Sequence, residues 1–438
     1  MYLYIQRNRI NIGILWIHDS NVFGEDRLVC LLSNIYRQKN RLLQTVTFNL
    51  QYYLFDCYCL YTSFFVCYFY FKQILFKMNH FRPRFYWFYE GKLYRWLQAY
   101  VAYWGYTAGY DVEEYGDDLT KYKNERVLLI CNHQSTADVP TLMVILQSKG
   151  VASRKTLWLM DVLFRWTPFG VVAQMHGDHF IRQGKSTREK ELLNLRNHLR
   201  KVFWDRDRRW VILFPEGGFY YKRFADSQRF GIKHGYPFLM YTTLPRLGAI
   251  KAIMEEVGPR ENFKQENDVE KLQKRSKFQV IKDTVGELRD KKYIKGKFLD
   301  YIAENRPPIK YVLDVTIAYP NGKPLSLITL CLGTREKCNI AVNYKVFKAD
   351  EVPFHDEEML RNWLYKRYEE KDKILKHFYE TGNFVDGEKG SVVKFSAWKI
   401  VGQHLFWCIS VYLQYRAYKW VIFKIFYFIQ YFINYFNV

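Results

Sequence analysis

Arg126-Val127-Leu128-Leu129-Ile130-Cys131-Asn132-His133-Gln134-Ser135-Thr136-Ala137-Asp138 is the stretch at which the texture of this chain changes. Val127 to Cys131 is an unbroken apolar run, long enough for a buried strand and too short for a helix. Polar residues follow at once, and Val139 to Gln147 then reads as a helix closed by Gly150. A strand end that feeds a helix N-terminus is where α/β proteins place ligands and reactive groups. His133 stands in that turn. An imidazole can take a proton from an alcohol at neutral pH. Asp138, five residues on, can come round the turn to hydrogen-bond the other ring nitrogen and fix its tautomer.

The same alternation continues downstream. Val171 to Met175 and Trp210 to Phe214 read as further strands. Between them, Ser186-Thr187-Arg188-Glu189 is a capping box that opens a helix to about Trp204. The pattern predicts an α/β fold, with a mainly parallel sheet flanked by helices. Residues 255–306 are dense in charges of both signs and predict an exposed insertion. Ile309 to Tyr319 and Ile340 to Phe347 return to strand texture. Asp356 to Glu380 predicts a long helix with Gly382 as its stop.

The ends of the chain have a different character. Residues 1–47 lack periodicity and read as a weakly structured head. Phe48 to Phe76 predicts an N-terminal membrane anchor; Asp56 and Lys72 interrupt it, but Cys57 to Phe71 is uncharged. Phe85 to Tyr110, with Trp87, Trp96 and Trp104, predicts a helix lying in a bilayer interface. The apolar C-terminal tail, Ala397 to Val438, is broken by Arg416, Lys419 and Lys424 and fits a hairpin, a second span or a surface helix. The expected plan is a head (1–47), a span with an interfacial helix (48–110), an α/β domain (111–385) and a membrane-associated tail (386–438).

The H-x-x-x-x-D spacing of His133 and Asp138 resembles the glycerophospholipid acyltransferase family, and further blocks extend the similarity. Gly177-Asp178-His179-Phe180-Ile181-Arg182 resembles the family's second block, whose arginine is thought to hold the acceptor phosphate. Here the usual arginine slot is Gln183, and Arg182 stands one place early. The resemblance therefore leaves the phosphate contact open among Arg182, Lys185, Arg188 and Arg246, with Arg182 the first choice. Phe214-Pro215-Glu216-Gly217-Gly218 resembles the third block, so Glu216, Gly217 and Gly218 are expected to shape the acceptor pocket. Glycines there let backbone N–H groups approach an anion closely. Leu244-Pro245-Arg246-Leu247-Gly248 resembles the fourth block. The Phe180–Gly184 segment, the double glycine, Asp314–Pro320, Trp363–Tyr365 and His377–Gly382 resemble the lysophosphatidylglycerol acyltransferase branch.

That resemblance implies an endoplasmic-reticulum membrane enzyme with a cytosolic catalytic face. It would move a long-chain acyl group from acyl-CoA to the free hydroxyl of lysophosphatidylglycerol or lysophosphatidylethanolamine. His133 would be the base and Asp138 its orienter, with acyl-CoA as co-substrate and no other cofactor. Lysophosphatidic acid and monoacylglycerol are the rival acceptors.

Composition sets the competing classes. The chain has 438 residues, 19% of them aromatic, and a net charge of +22. Such a charge calls for an anionic partner: nucleic acid, lipid headgroups or coenzyme A phosphates. No helix-turn-helix, zinc finger or RNP-like stretch supports nucleic acid. A basic membrane-binding scaffold would explain charge and aromatics, but leaves four ordered blocks to coincidence. The eight cysteines form no C-x-x-C pair, so no structural zinc is expected, and a reducing compartment is. Cys131 reads as a packed strand residue rather than a nucleophile, and Ser135 and Thr136 as helix caps. His176 and His179 lack a third metal ligand. Arg206, Arg208 and Arg209 read as a solvated basic face.

Overall fold

Val127–Cys131 is a strand, and it runs through the interior of an eight-stranded sheet in the computed structural model, which describes residues 83–150, 152–184, 186–260, 306–387, 389–394 and 396–436. In chain order the described elements begin with α1 (Pro83–Ala108), β1 (Tyr110–Gly116), β2 (Val127–Cys131), α2 (Asp138–Ser148) and β3 (Thr156–Asp161). There follow α3 (Pro168–His176), β4 (His179–Ile181), α4 (Arg188–Val202), β5 (Trp210–Leu213), α5 (Tyr220–His234) and α6 (Leu247–Val257). The last are β6 (Tyr311–Ala318), α7 (Leu327–Leu332), β7 (Cys338–Lys348), α8 (Glu357–Thr381), β8 (Ser391–Val392) and α9 (Ala397–Phe436).

The strand order is β4-β3-β5-β2-β6-β7-β1-β8. The first five run parallel; β7 is antiparallel to β6, β1 parallel to β7, and β8 antiparallel to β1. This is the mainly parallel α/β sheet that the sequence predicts. Its central strands β2 and β5 are apolar throughout because each face is covered there. Val127, Leu129 and Cys131 pack with Trp158, Ile212 and Val315 under α1 and α2. Leu128 and Ile130 pack with Leu157, Val211 and Val312 under α4, α6 and α8.

Several elements depart from their expected form. Val171 to Met175 is helical. A five-residue segment, here with Gln174 as its one polar member, does not distinguish strand from buried helix. Its flanks do: the Thr167 hydroxyl accepts the Gly170 N–H (3.0 Å), Pro168 opens the first turn, and Gly177 closes it at φ 98°. The strand on that side is instead Thr156–Asp161, which the sequence reading passed over. α4 does open at Arg188, but its Thr187 N-cap has αR backbone and makes no side-chain cap, so the predicted box does not form at that residue. The α8 reading is accurate at both ends, with the Asp356 carboxylate capping the Met359 N–H (2.8 Å) and Gly382 at φ 84°.

α1 forms where the interfacial helix was expected, and Tyr94, Leu97, Tyr100 and Trp104 carry its buried face into the core. Phe88, Tyr89 and Tyr106 are its exposed large apolar residues. α9 is one unbroken helix of 40 residues with many exposed apolar side chains. Among the described residues no helix is long and apolar enough to cross a membrane. The expected anchor, Phe48 to Phe76, lies outside the described residues, as do 261–305 of the charged insertion.

Candidate active site

β2 ends at Cys131, and the next two residues are tied to three other elements. Asn132 bonds the Ile317 backbone twice, Nδ2 donating to its carbonyl (3.0 Å) and Oδ1 accepting its N–H (2.8 Å). The side chain thus continues the β2–β6 ladder one step beyond the last strand pair. His133 is held through its own backbone: its N–H donates to Glu216 Oε1 (2.8 Å), and its carbonyl accepts the Tyr220 N–H (2.7 Å). Both partners follow β5, so the histidine is pinned across a parallel strand pair.

The ring is fixed independently. Nδ1 lies 2.9 Å from Asp138 Oδ2, and the ring stacks on Phe214 (centroids 4.1 Å) and lies against Phe219 (4.4 Å). With Nδ1–H directed to a carboxylate, the neutral imidazole carries its lone pair on Nε2. The His133 side chain is 12% exposed and that of Asp138 is wholly buried. Asp138 is the first residue of α2, where the helix dipole favours negative charge. It accepts two further hydrogen bonds, from the Ser135 N–H (2.9 Å) and from the Tyr319 hydroxyl (2.6 Å, to Oδ1). A ring held this way can receive a proton at Nε2 while its other nitrogen stays anchored.

Glu216 supports the histidine from the next strand. Its Oε2 takes the Thr243 hydroxyl (2.6 Å) and N–H (3.2 Å). Burial, with Asp138 adding to it, pushes its carboxyl up to about 8. Gly217 (φ 67°) and Gly218 (φ 157°) then turn the chain into α5. A Cβ on Gly217 would sit 3.1 Å from the Arg246 side chain, and one on Gly218 3.2 Å from that of Arg223. The Arg246 N–H donates to the Pro215 carbonyl (2.8 Å), and its Nη1 donates to Gln183 Oε1 (3.0 Å).

The expected residues thus divide. His133, Asp138 and Glu216 form one hydrogen-bonded unit, and Gly217, Gly218 and Arg246 border it. Arg182 stands apart from that unit; it is exposed just past β4, its backbone N–H donating to Glu191 Oε2 (3.3 Å). Lys185 lies outside the described residues. Cys131 is fully buried, and burial drives its thiol well above the normal range, opposite to what a nucleophile needs. The Ser135 hydroxyl caps the Ala137 N–H (3.1 Å), and that of Thr136 takes the Leu327 N–H (2.8 Å). Tyr319 and Thr243 are contacts the sequence reading missed. Only membership of the Asp314–Pro320 block hinted at the first, and nothing marked the second.

Two other groups of residues lie away from this site. His176 is buried between Glu90 (Nδ1, 2.7 Å) and the Thr156 carbonyl (Nε2, 3.0 Å), and His179 is also buried. Among the described residues no group of side chains could hold a metal ion. Arg208 is not part of a solvated face: it is buried against the His176 carbonyl, and Arg206 lies over the Trp87 ring (4.4 Å).

Comparison with known proteins bears directly on these residues. The Acyltransferase family profile matches 112–250, and the Acyltransferase C-terminus profile matches 331–407. Acyl-CoA:lysophosphatidylglycerol acyltransferase 1 of Homo sapiens is 40% identical over 301 residues, 68% of this chain and 73% of that protein. Its Mus musculus counterpart is 38% identical, covering 70% of this chain and 76% of its own. A putative 1-acyl-sn-glycerol-3-phosphate acyltransferase of Caenorhabditis elegans is 31% identical over 70% of each. At that identity over most of both chains, with the first profile spanning His133 to Arg246, the chain is an acyltransferase that belongs to the glycerophospholipid acyltransferase family, in its lysophosphatidylglycerol branch.

Proposed function

We propose that this enzyme transfers a long-chain acyl group from acyl-CoA to the free hydroxyl of lysophosphatidylglycerol or lysophosphatidylethanolamine, in phospholipid remodelling at the endoplasmic-reticulum membrane. The observation that carries the chemistry is the His133–Asp138 pair, with Nδ1 anchored at 2.9 Å. His133 Nε2 takes the proton of the acceptor hydroxyl as its oxygen attacks the thioester carbonyl. Backbone N–H groups near the start of α2 stabilise the oxyanion. The tetrahedral intermediate then collapses, the C–S bond breaks, and the coenzyme A thiolate takes the proton back from the imidazolium. A thioester is already activated, so a positioned base suffices and no acyl-enzyme is needed. Acyl-CoA is cytosolic, which supports a cytosolic catalytic face. The names of the human and mouse relatives support lysophosphatidylglycerol and acyl-CoA as substrates. That of the Caenorhabditis elegans relative keeps lysophosphatidic acid as the second reading.

The test is acyl-CoA consumption by membranes carrying the full chain, supplied with a panel of lysophospholipids and monoacylglycerol. His133→Ala is expected to lower the rate by about two to four orders of magnitude, the scale of a lost acid–base group. Asp138→Ala should also be severe and Cys131→Ala mild. A folded Cys131→Ala enzyme without activity would refute the direct-attack mechanism.

A further inference from the structure

α5 buries small residues and leaves large apolar ones in the open. Ser227 and Gly231 are its buried residues, whereas Tyr221, Phe230 and Ile232 are exposed. A helix packed on a core ordinarily does the reverse. Tyr221, Ala225, Gln228 and Ile232 recur at i, i+4, i+7 and i+11 and so line one stripe. The segment after α5 is tied alongside it. Gln228 Nε2 donates to the Leu239 carbonyl (2.5 Å), and the Tyr220 hydroxyl to that of Met240 (2.5 Å). This segment adds Phe238 and Met240, which like Tyr221 and Ile232 are each more than half exposed. It is held in place, because Asp372 takes the N–H groups of Met240, Tyr241 and Thr242.

A second stripe runs one residue on from the first. Lys222, Asp226, Arg229 and Lys233 repeat the same spacing, and Asp226 is taken up by Arg229. α5 carries four Lys or Arg against that one carboxylate. An apolar stripe flanked by a basic one matches the boundary between acyl chains and anionic headgroups, where the first can enter and the second meets charge. The position of α5 favours lipid over a protein partner. Its Tyr220 N–H donates to the His133 carbonyl (2.7 Å). Phe219 lies against the His133 ring (4.4 Å), and Tyr221 stacks on Phe219 (5.8 Å), so aromatic rings lead from the histidine to the stripe. The same end of the sheet presents Leu163 and Trp166, each about four-fifths exposed on the turn after β3, the parallel neighbour of β5.

We infer that the face formed by α5, Phe238 and Met240 lies against an anionic bilayer while the enzyme works. Tyr221, Ile232, Phe238 and Met240 enter the headgroup region, and Lys222, Arg229 and Lys233 meet the headgroups. The inference rests on the proposed lysophospholipid acylation. The patch is too small to hold the chain on a membrane alone. On a chain tethered elsewhere it acts at high effective concentration and sets the orientation of the domain. That orientation brings His133 to the leaflet, so that the acceptor need raise only its glycerol hydroxyl while its acyl chain stays among the lipids.

The experiment places the full chain in phosphatidylcholine vesicles containing about a third phosphatidylserine. An environment-sensitive fluorescent amino acid stands in for Ile232, for Phe238 or, as a control, for Met359. Met359 is also exposed, but α8 opens at the other end of the sheet, because the last residue of β7 pairs with the first of β6. The probes replacing Ile232 and Phe238 should shift to shorter wavelength and be quenched by nitroxide-labelled lipid, whereas the one replacing Met359 should do neither. If one labelled chain does not fold, the other position carries the comparison. Kinetics supply the second readout. Joining Ile232→Asp with Phe238→Asp should lower kcat/KM roughly tenfold or more for lysophosphatidylglycerol embedded in the vesicles. The same variant should stay within about twofold of wild type on a short-chain lysophosphatidylglycerol dissolved as monomers, where no interface has to be met. Joining Lys222→Gln with Lys233→Gln should cost the vesicle reaction about tenfold at low salt and nothing at high salt. Probes replacing Ile232 and Phe238 that nitroxide lipid does not quench overturn the inference, and a shift to shorter wavelength without quenching shows protein rather than lipid on the stripe. Equal losses on vesicle and monomeric substrate overturn it too, as does a rise confined to the acyl-CoA KM. Failure of the functional reading looks different: the wild-type chain would consume no acyl-CoA with either form of the lysophospholipid, while the quenching would still report the contact.

Discussion

Asp138 divides its two carboxylate oxygens among three donors, only one of which is the histidine. Tyr319→Phe removes one of the other two and leaves Asp138 Oδ1 buried without that partner. An unsatisfied buried acceptor costs about 1–3 kcal/mol. We expect thermal melting to show a loss on that scale and kcat to fall, with the acyl-CoA KM little changed; wild-type kcat in a folded Tyr319→Phe enzyme would deny Tyr319 a positioning role. Glu216 gives a pH signature. Its folded-state carboxyl titrates near 8, against an unfolded value near the ordinary 4.5, so the folded protein binds the extra proton between those limits. Stability from this group therefore falls as pH rises from about 4.5 to 8. Glu216→Gln should flatten that dependence in melting curves taken across the window; an unchanged slope would place the ionisation elsewhere. The His133–Asp138 pair was legible because its members are five residues apart and share one turn. Tyr319 and Thr243 arrive from distant strand and loop ends, and no local spacing announces a contact made by topology.

At the scale of elements, α8 bolts the site together from behind. Its Tyr368 hydroxyl donates to the Cys131 carbonyl (3.3 Å), and Lys371 is buried against Asp314 and the Val315 carbonyl. Asp372 takes the backbone N–H groups of Met240, Tyr241 and Thr242 (2.7–3.0 Å) in the loop leading to Thr243, and the Tyr379 hydroxyl accepts from Gln134 Nε2 (2.9 Å). Removing one partner of a buried ion pair strands the other. Lys371→Ala is expected to cost about 3–5 kcal/mol, and pairing it with Asp314→Leu should restore part of this, since exchanging both charges for apolar groups is far less costly. Chemical denaturation of the single and double variants checks it; a single variant within 1 kcal/mol of wild type would mean that water reaches Asp314. The sequence announced α8 through its length, its Asp356 cap and its Gly382 stop. It did not announce α3, because Val171 to Met175 is shorter than one helical repeat pattern and only Thr167, Pro168 and Gly177 distinguish it from a strand.

At the scale of the whole molecule, the covered sheet explains the catalytic domain but not how the chain meets its lipid substrate. The described part offers exposed apolar side chains along α9, from Trp398 to Ile429, together with Arg416, Lys419 and Lys424. Such a surface suits reversible binding to an anionic bilayer, strengthened by aromatic rings at headgroup level and weakened by salt. Firm anchoring needs a stretch that can cross the bilayer, and the sequence reading puts it at Phe48 to Phe76, whose Cys57 to Phe71 core is uncharged. The two attachments should separate under different treatments. Chains lacking 1–47 are expected to stay in the membrane pellet through alkaline carbonate. Chains lacking 1–76 should be released by carbonate yet remain bound in low salt through α9, and further removal of 397–438 should free them at low salt as well. Should the chain lacking 1–76 resist carbonate as firmly as the full protein, the anchor would have to lie in α1 or α9, and the segment from Phe48 to Phe76 would not be a membrane span.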